Sequence, residues 1–563
     1  MRSIIRIASI TIISILLINS SLQGKTLQTS LADKNTPAGG FIMADVEQCS
    51  QQIPVTSPDY LGVKFCSGNP NDAVLLSNPY SGSLHVEKMA PYLAGNKAIQ
   101  DILALRKKAR TIKLQTVREQ FLKYSKGKLN PSQNKILDFL SRQVEMPLML
   151  LNAMPFHCSD VFNTPCSFQM AAYFQPDYGN DIGAWADTTF VCALGIDNND
   201  PGLSLEGEMK SGILELIICH EIGHCIQMDM MDNAFNKIEN IGADSHSTQT
   251  ISGLGTGYTE GWAEAFEAVY GPMNSKLNPQ TAPSLLVPDF VMNRQDPLRR
   301  DRYVWEKNKK NGVVKNGLQL LSTEGVVAGI FYDILTSQAI TAPFEKCVTV
   351  MVKAKSRSFD KFICNYLKLF PEDKKVITRI LLENTFYVTM SCEAAPKYKN
   401  MYLSRQAFFE KKAPQKEFEK ARQEFNTFKE NLFQQAMSGA DIFANVGPSL
   451  WIKGTNTDGG ECLRNLNTAT EMMLTGFGLE PADAAKVVAA REAKGFFTGN
   501  PVEILSSIIG DTGMKAFQAK GLAMAAHDPY KPAPEPAAYV INCKGQTYRL
   551  SQQDLQKFSK QKK

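Results

Sequence analysis

The stretch ELIICHEIGHCIQ, Glu215–Gln227, decides how the rest of the chain is read. It holds His220, Glu221 and His224 in the order H-E-x-x-H, within a run that has no proline and no turn cluster, which predicts a helix. On a helix, residues four apart lie about 40° apart around the axis, so both imidazoles leave one face together. Two neutral ring nitrogens on one face can hold a Zn²⁺ at about 2.0–2.1 Å each. Glu221, beside the first histidine, then lies within reach of the water that such an ion activates, not of the ion itself. The chain has only six histidines in 563 residues, so a chance match to this spacing is rare. The competing reading is a core helix with two hydrogen-bonded histidines.

A catalytic zinc site takes three protein ligands and keeps a fourth position open. Downstream lies GLGTGYTEGWAEAFEAVYG, Gly253–Gly271, glycine-rich and then apolar at helical spacing. Its Glu260 is the favoured third ligand. Glu264 follows one turn later, where a carboxylate accepts the N–H of a ligand histidine and fixes its tautomer. His246, Asp244, Glu264 and Glu267 are the other donors considered for the third position, with Glu267 read as part of a solvated face. A three-histidine metzincin site fails, because Gln227 and Met230 stand where that pattern needs glycine and histidine. HEIGH followed by TEGWAEAFE resembles the gluzincins, metallopeptidases whose third ligand is a glutamate on a second helix. E-G-W-A-E-A-F is most similar to the E-G-W-S-D-F of fungalysin-like peptidases, whose first acid binds zinc. The resemblance implies Glu260 as ligand and Glu264 as the carboxylate behind a ligand histidine. It covers these two helices only, and the gap between them is longer than in thermolysin-type members.

Outward from this centre, composition sets the bounds. A chain of 563 residues predicts two to four domains, and 44% hydrophobic content is ample for buried cores. A net charge of +5 makes no case for nucleic acid or membrane by itself. Residues 1–24 read as an export signal, with Arg2 and Arg6 ahead of the short apolar run Ile7–Ile18 and small residues at Ser20, Ser21 and Gly24. An uncleaved anchor is the alternative, and no later run is long enough to span a bilayer. Secretion or a periplasmic location follows, and there the twelve cysteines can form disulfides. Cys49 with Cys66 and Cys158 with Cys166 are local pairs by spacing, whereas Cys219 and Cys225 read as core residues beside the histidines.

Residues 25–130 form a loop-rich and helical N-terminal region, read also as a pro-region. It ends in an amphipathic helix over Lys97–Lys126 whose basic face is taken as solvated. A second helix begins at Pro131 and covers Ser132–Val144. Residues 131–395 make the predicted zincin-like metallopeptidase domain, with strands within Phe168–Phe174 and Ala184–Ile196 ahead of the histidine helix. The edge strand of that sheet would bind an extended peptide through its main chain. Leu320–Ser337 reads as one apolar packing helix. Tyr258 and Tyr332 are candidates for the donor that stabilises the transition state. A helical connector, 396–450, carries Phe418, Phe425, Phe428 and Leu432 on one stripe.

The last recognisable phrase is RNLNTATEMMLTGFGLEPADAAKVVAAREAKGFFTGNPVEIL, Arg464–Leu505. It resembles the helix-hairpin-helix of bacterial competence DNA receptors and of the large minor pseudopilin of type II secretion. Gly476-Phe477-Gly478 makes the hairpin, and in DNA-binding members the amides there cradle a phosphate. The second hairpin departs from the pattern with I-I-G-D-T-G, and Glu480, Asp483 and Asp511 add negative charge. Structural or protein-contact use is therefore favoured over DNA for this domain, 451–525, which a Pro-rich and basic tail follows at 526–563. The expected fold class is α+β, mostly helical: a zincin-like domain plus a small all-α helix-hairpin-helix domain. The expected function is an exported peptidase with one Zn²⁺ acting on a protein or peptide substrate. The alternative is a non-catalytic zincin scaffold that contacts DNA or a secretion apparatus through its last domain.

Overall fold

The structure, a computed structural model, describes residues 96–144, 213–239, 248–271, 303–306, 312–455, 461–520 and 524–527, together with short strands elsewhere. The signal segment, the cysteine pairs 49/66 and 158/166, the strand at 168–174, and His246 and Asp244 lie outside the described residues. The fold is mostly helical α+β.

Short strands come first: β1 (Gln51–Gln52), β2 (Lys64–Phe65) and β3 (Val74–Leu76). Helices α1 (Lys97–Tyr124) and α2 (Pro131–Val144) follow, then strands β4 (Met149–Asn152), β5 (Ile182–Gly183) and β6 (Ala193–Ile196). Four of these strands join in the order β3-β4-β6-β5. Leu150 pairs with Leu194 in parallel, while β5 turns antiparallel and leaves Ile182 opposite the same Leu194.

The histidine stretch is α3 (Ile213–Met231), which packs beside β5 and β6. It is apolar on nearly all sides, the mark of a helix enclosed by neighbours. One neighbour is α4 (Leu254–Tyr270), the helix of the glycine-rich phrase. The two run antiparallel and come close at Gly223, where an added Cβ would lie 3.1 Å from the Ala263 Cα. Trp262 locks the crossing: it is fully buried, and its indole Nε1 donates to the Gly223 carbonyl at 2.9 Å. That bond removes a polar group that burial would otherwise leave costly.

On the far side of α3, α1 supplies a surprise. Arg106, Arg110 and Lys113, read from sequence as part of a solvated basic face, are buried. Both arginine Nε atoms donate to Asp229 Oδ2, at 3.0 and 2.8 Å, and the Lys113 amine donates to the Asp229 carbonyl oxygen. Burial alone would raise the Asp229 pKa, but the charges of Arg106, Arg110 and Lys113 outweigh it and hold the carboxyl at about 2. The N-terminal helix is thus part of the core that carries α3.

The expected single helix over Leu320–Ser337 is two, α5 (Gly317–Leu321) and α6 (Glu324–Thr336). The break falls where Thr323 bridges to Ile251 and the Ser322 carbonyl accepts from the Ser252 amide, so the segment before α4 claims the backbone there. Phe331 on α6 meets Trp262 edge-on at 5.3 Å. Helices α7 (Pro343–Ala354), α8 (Phe359–Leu369) and α9 (Lys374–Asn384) enclose that aromatic layer. A helical hairpin, α10 (Ala394–Phe409) and α11 (Gln415–Met437), then returns Tyr398, Phe425 and Phe433 to the same core, so 396–450 packs as part of it.

Beyond it a second core is built from residues 450–524. It differs from the all-α expectation. Strands β7 (Trp451–Thr455), β8 (Glu461–Asn465) and β9 (Met524–His527) form an antiparallel sheet in the order β8-β7-β9. Between β8 and β9 lie α12 (Glu471–Gly476), α13 (Pro481–Lys494) and α14 (Pro501–Ala519). N-L-N-T-A, 465–469, closes β8 and makes the turn into α12. Gly510, at φ 68° and ψ 179°, breaks α14 into two arms, a conformation only glycine takes without strain. Strands β10 (Tyr539–Cys543) and β11 (Gln546–Leu550) form a hairpin in the tail. Among the described residues no helix is long and apolar enough to cross a membrane.

Candidate metal centre

The antiparallel pairing of α3 and α4 brings three predicted residues to one point. His220 Nε2 lies 3.3 Å from Glu260 Oε2, His224 Nε2 lies 3.1 Å from the same oxygen, and the two Nε2 atoms are 3.2 Å apart. The rings meet edge-on at 76°. All three side chains are mostly buried, at 17, 9 and 19% exposure.

Hydrogen bonds alone cannot satisfy this triangle while the carboxylate is ionised. Its oxygen only accepts, so both nitrogens would have to donate to it, and they would then face each other as two donors. Any other protonation leaves an acceptor against an acceptor. One cation satisfies all three contacts at once. Donors held tetrahedrally at about 2.0–2.1 Å from zinc stand about 3.3 Å apart, the spacing found here. The residues present therefore fit a zinc ion, and the nitrogen–nitrogen–carboxylate set is one that zinc accepts.

Behind His220 the carboxylates fall differently from expectation. Glu267 Oε2 lies 3.3 Å from His220 Nδ1, so the residue read as part of a solvated face is the one against the ring. Glu264 belongs to the same cluster, its ligand oxygen within 4.8 Å of the other two donor atoms. Burial first, then the charges of Glu267, Glu324 and Glu260, push the Glu264 pKa up to about 8, with His220 opposing them. Glu324, on α6, is itself buried. The order of α4 carries the signal that the sequence reading missed. Residues seven apart differ by only about 20° around a helix, so Glu267 shares a face with Glu260, and an antiparallel partner directs it towards the earlier histidine.

Glu221 takes its place on α3 one position past His220; its side chain lies outside the described atoms. Tyr258 is fully buried among Phe331, Phe359 and Phe362, and burial holds its hydroxyl well above the ordinary phenol range. Its ring is part of the aromatic core. Tyr332 is half-buried on α6 and packs against the same core. Cys219 is a buried free thiol, raised by burial and then by Glu267, and Cys225 is disulfide-bonded. A sulfur already in a disulfide has no thiolate to offer a metal.

The last domain uses its recognisable residues internally. Asn467 clamps Phe497, donating to its carbonyl and accepting from its amide at 2.9 and 2.7 Å. Arg491, buried, donates to the Leu466 and Ala469 carbonyls and reaches Glu306 of the larger core at 2.8 Å. Glu239, just past α3, accepts from Trp451 and Ser449. The hairpin amides of Phe477, Gly478 and Leu479 are taken by the carbonyls of Met473, Thr475 and Leu474. No family model matches the chain, and searches of curated proteins and of solved structures returned no match.

Proposed function

We propose that the chain is an exported zinc-dependent metallopeptidase of the zincin kind, holding one Zn²⁺ with His220, His224 and Glu260. The observation that carries this reading is the triangle of donors at 3.1–3.3 Å, the separation that three ligands of one tetrahedral zinc ion take. When bound, zinc would act as a Lewis acid on a water and on the substrate carbonyl. Glu221 is assigned the general base, accepting the water's proton and passing it to the leaving amine. Strand β5 supports a peptide as substrate: among the described residues it ends its sheet's strand order beside α3, and a sheet edge takes an extended peptide by main-chain hydrogen bonds. The signal-like residues 1–24 and the disulfide at Cys225 support export.

The non-catalytic alternative retains the metal and lacks turnover. Metal analysis and peptide hydrolysis on the parent and on Glu221→Gln separate the two readings. The expected result is one zinc per chain in both proteins, with hydrolysis reduced about 10²–10⁴-fold in the variant. Zinc bound without turnover in the parent would leave only the scaffold reading.

A further inference from the structure

We infer that Glu267, and not Glu264, is the positioning residue that sets the tautomer of His220. The inference rests on the metal-centre reading above and concerns a residue that neither the motif nor the resemblance assigns. Glu267 Oε2 stands 3.3 Å from Nδ1, on the opposite edge of the ring from the triangle. An ionised carboxylate can only accept, so it favours the proton on Nδ1. That choice leaves Nε2 as a bare lone pair facing His224 and Glu260, the form in which an imidazole ligates a cation.

The triangle shows why such a selector matters. Without a cation, Nε2 of His220 gains by taking the proton itself, since it could then donate to Glu260 at 3.3 Å. Glu267 competes for that proton from the other side of the ring. It holds the metal-free site in the ligating tautomer, so less rearrangement accompanies uptake of the ion. Glu264 is placed less well for this work. Its carboxylate belongs to the same cluster within 4.8 Å, but the 3.3 Å approach to Nδ1 is made by Glu267.

The test uses the full mature chain carrying Glu267→Gln, Glu267→Asp or Glu264→Gln, with zinc as the probe. Competition titration is expected to show zinc affinity about 10–100-fold weaker in Glu267→Gln, partly recovered in Glu267→Asp, and less affected in Glu264→Gln. Nitrogen-15 spectra of the imidazoles in the metal-free proteins should show His220 as the Nδ1–H tautomer in the parent, shifting towards Nε2–H in Glu267→Gln. A merely structural role for Glu267 would not move that equilibrium. Glu264→Gln producing the larger tautomer shift, or an unchanged tautomer in Glu267→Gln, overturns the inference. A parent that takes up no zinc removes the metal centre instead, and the metal-free spectra still decide the role of Glu267.

Discussion

The α3–α4 crossing and the last domain both carry phrases that read as functional, yet they treat their polar residues in opposite ways. At the crossing, His220, His224 and Glu260 turn their donor atoms towards one another. In the last domain, Asn467 and Arg491 are buried and occupied by neighbouring backbone and by Glu306. A motif residue whose hydrogen bonds are all made inside the fold is holding the fold. One whose donor atoms converge from two helices is a candidate to hold a ligand.

The largest expected effect sharpens the first half of that contrast. Replacing Glu260 with alanine should take zinc from one ion per chain to under about 0.1 after dialysis, and hydrolysis should fall to background with it. The second half predicts a change of another kind. Arg491→Met removes the buried 2.8 Å ion pair with Glu306, so denaturant unfolding should show a loss of about 3–5 kcal/mol. Zinc content in the folded protein should stay at one. Pairing Arg491→Met with Glu306→Gln should recover part of the loss, because the uncompensated charge is then gone. Zinc lost in Arg491→Met under folding conditions would break the comparison, since the last domain would then be shaping the metal centre.

The sequence was most legible where chemistry and helical period coincide. Four residues of spacing put His220 and His224 on one face, and the acid of E-G-W-A-E met them from the next helix. It was least legible where distant segments meet. The burial of Arg106 and Arg110 depends on Asp229, more than a hundred positions away, and nothing in α1 itself announces that partner. Glu267 joins Glu264 beside His220 because the direction of the crossing brings the later turns of α4 next to the earlier histidine. The break before α6 comes from a bridge to Ile251, again a long-range contact. The sheet of the last domain escaped notice because β9 arrives only after both hairpins, so no local alternation joins it to β7.

An intermediate effect follows from α1. The folded pKa of Asp229 lies below its unfolded value, so its contribution to stability is present above about pH 4 and is lost as the pH falls through about 2. The shift corresponds to about 2 kcal/mol. Urea unfolding of the parent and of Asp229→Asn, compared at pH 5 and pH 2, should show their difference shrink by that amount. A constant difference would mean that Arg106 and Arg110 gain nothing from the charge of Asp229.

The smallest effect expected is the response of the last domain to DNA. A phosphate cradle needs free amides and positive potential, and the first hairpin offers neither. Its amides at 477–479 are bonded within the turn, and Glu480 and Asp483 stand at the start of α13. Lys520, the cation beside that hairpin, donates to the Gly478 carbonyl and pairs with Glu480 at 2.7 Å. Duplex DNA binding should therefore depend on salt no more steeply than one or two phosphate contacts require, a log–log slope of about −1 to −2. A slope of about −4 or steeper would show several phosphates neutralised together, and the hairpins would then have to be read as a binding surface. Glu480→Lys adds the missing sign without touching the turn's hydrogen bonds. If charge alone were limiting, that substitution should steepen the slope; if the occupied amides limit binding, it should leave the slope almost where it was.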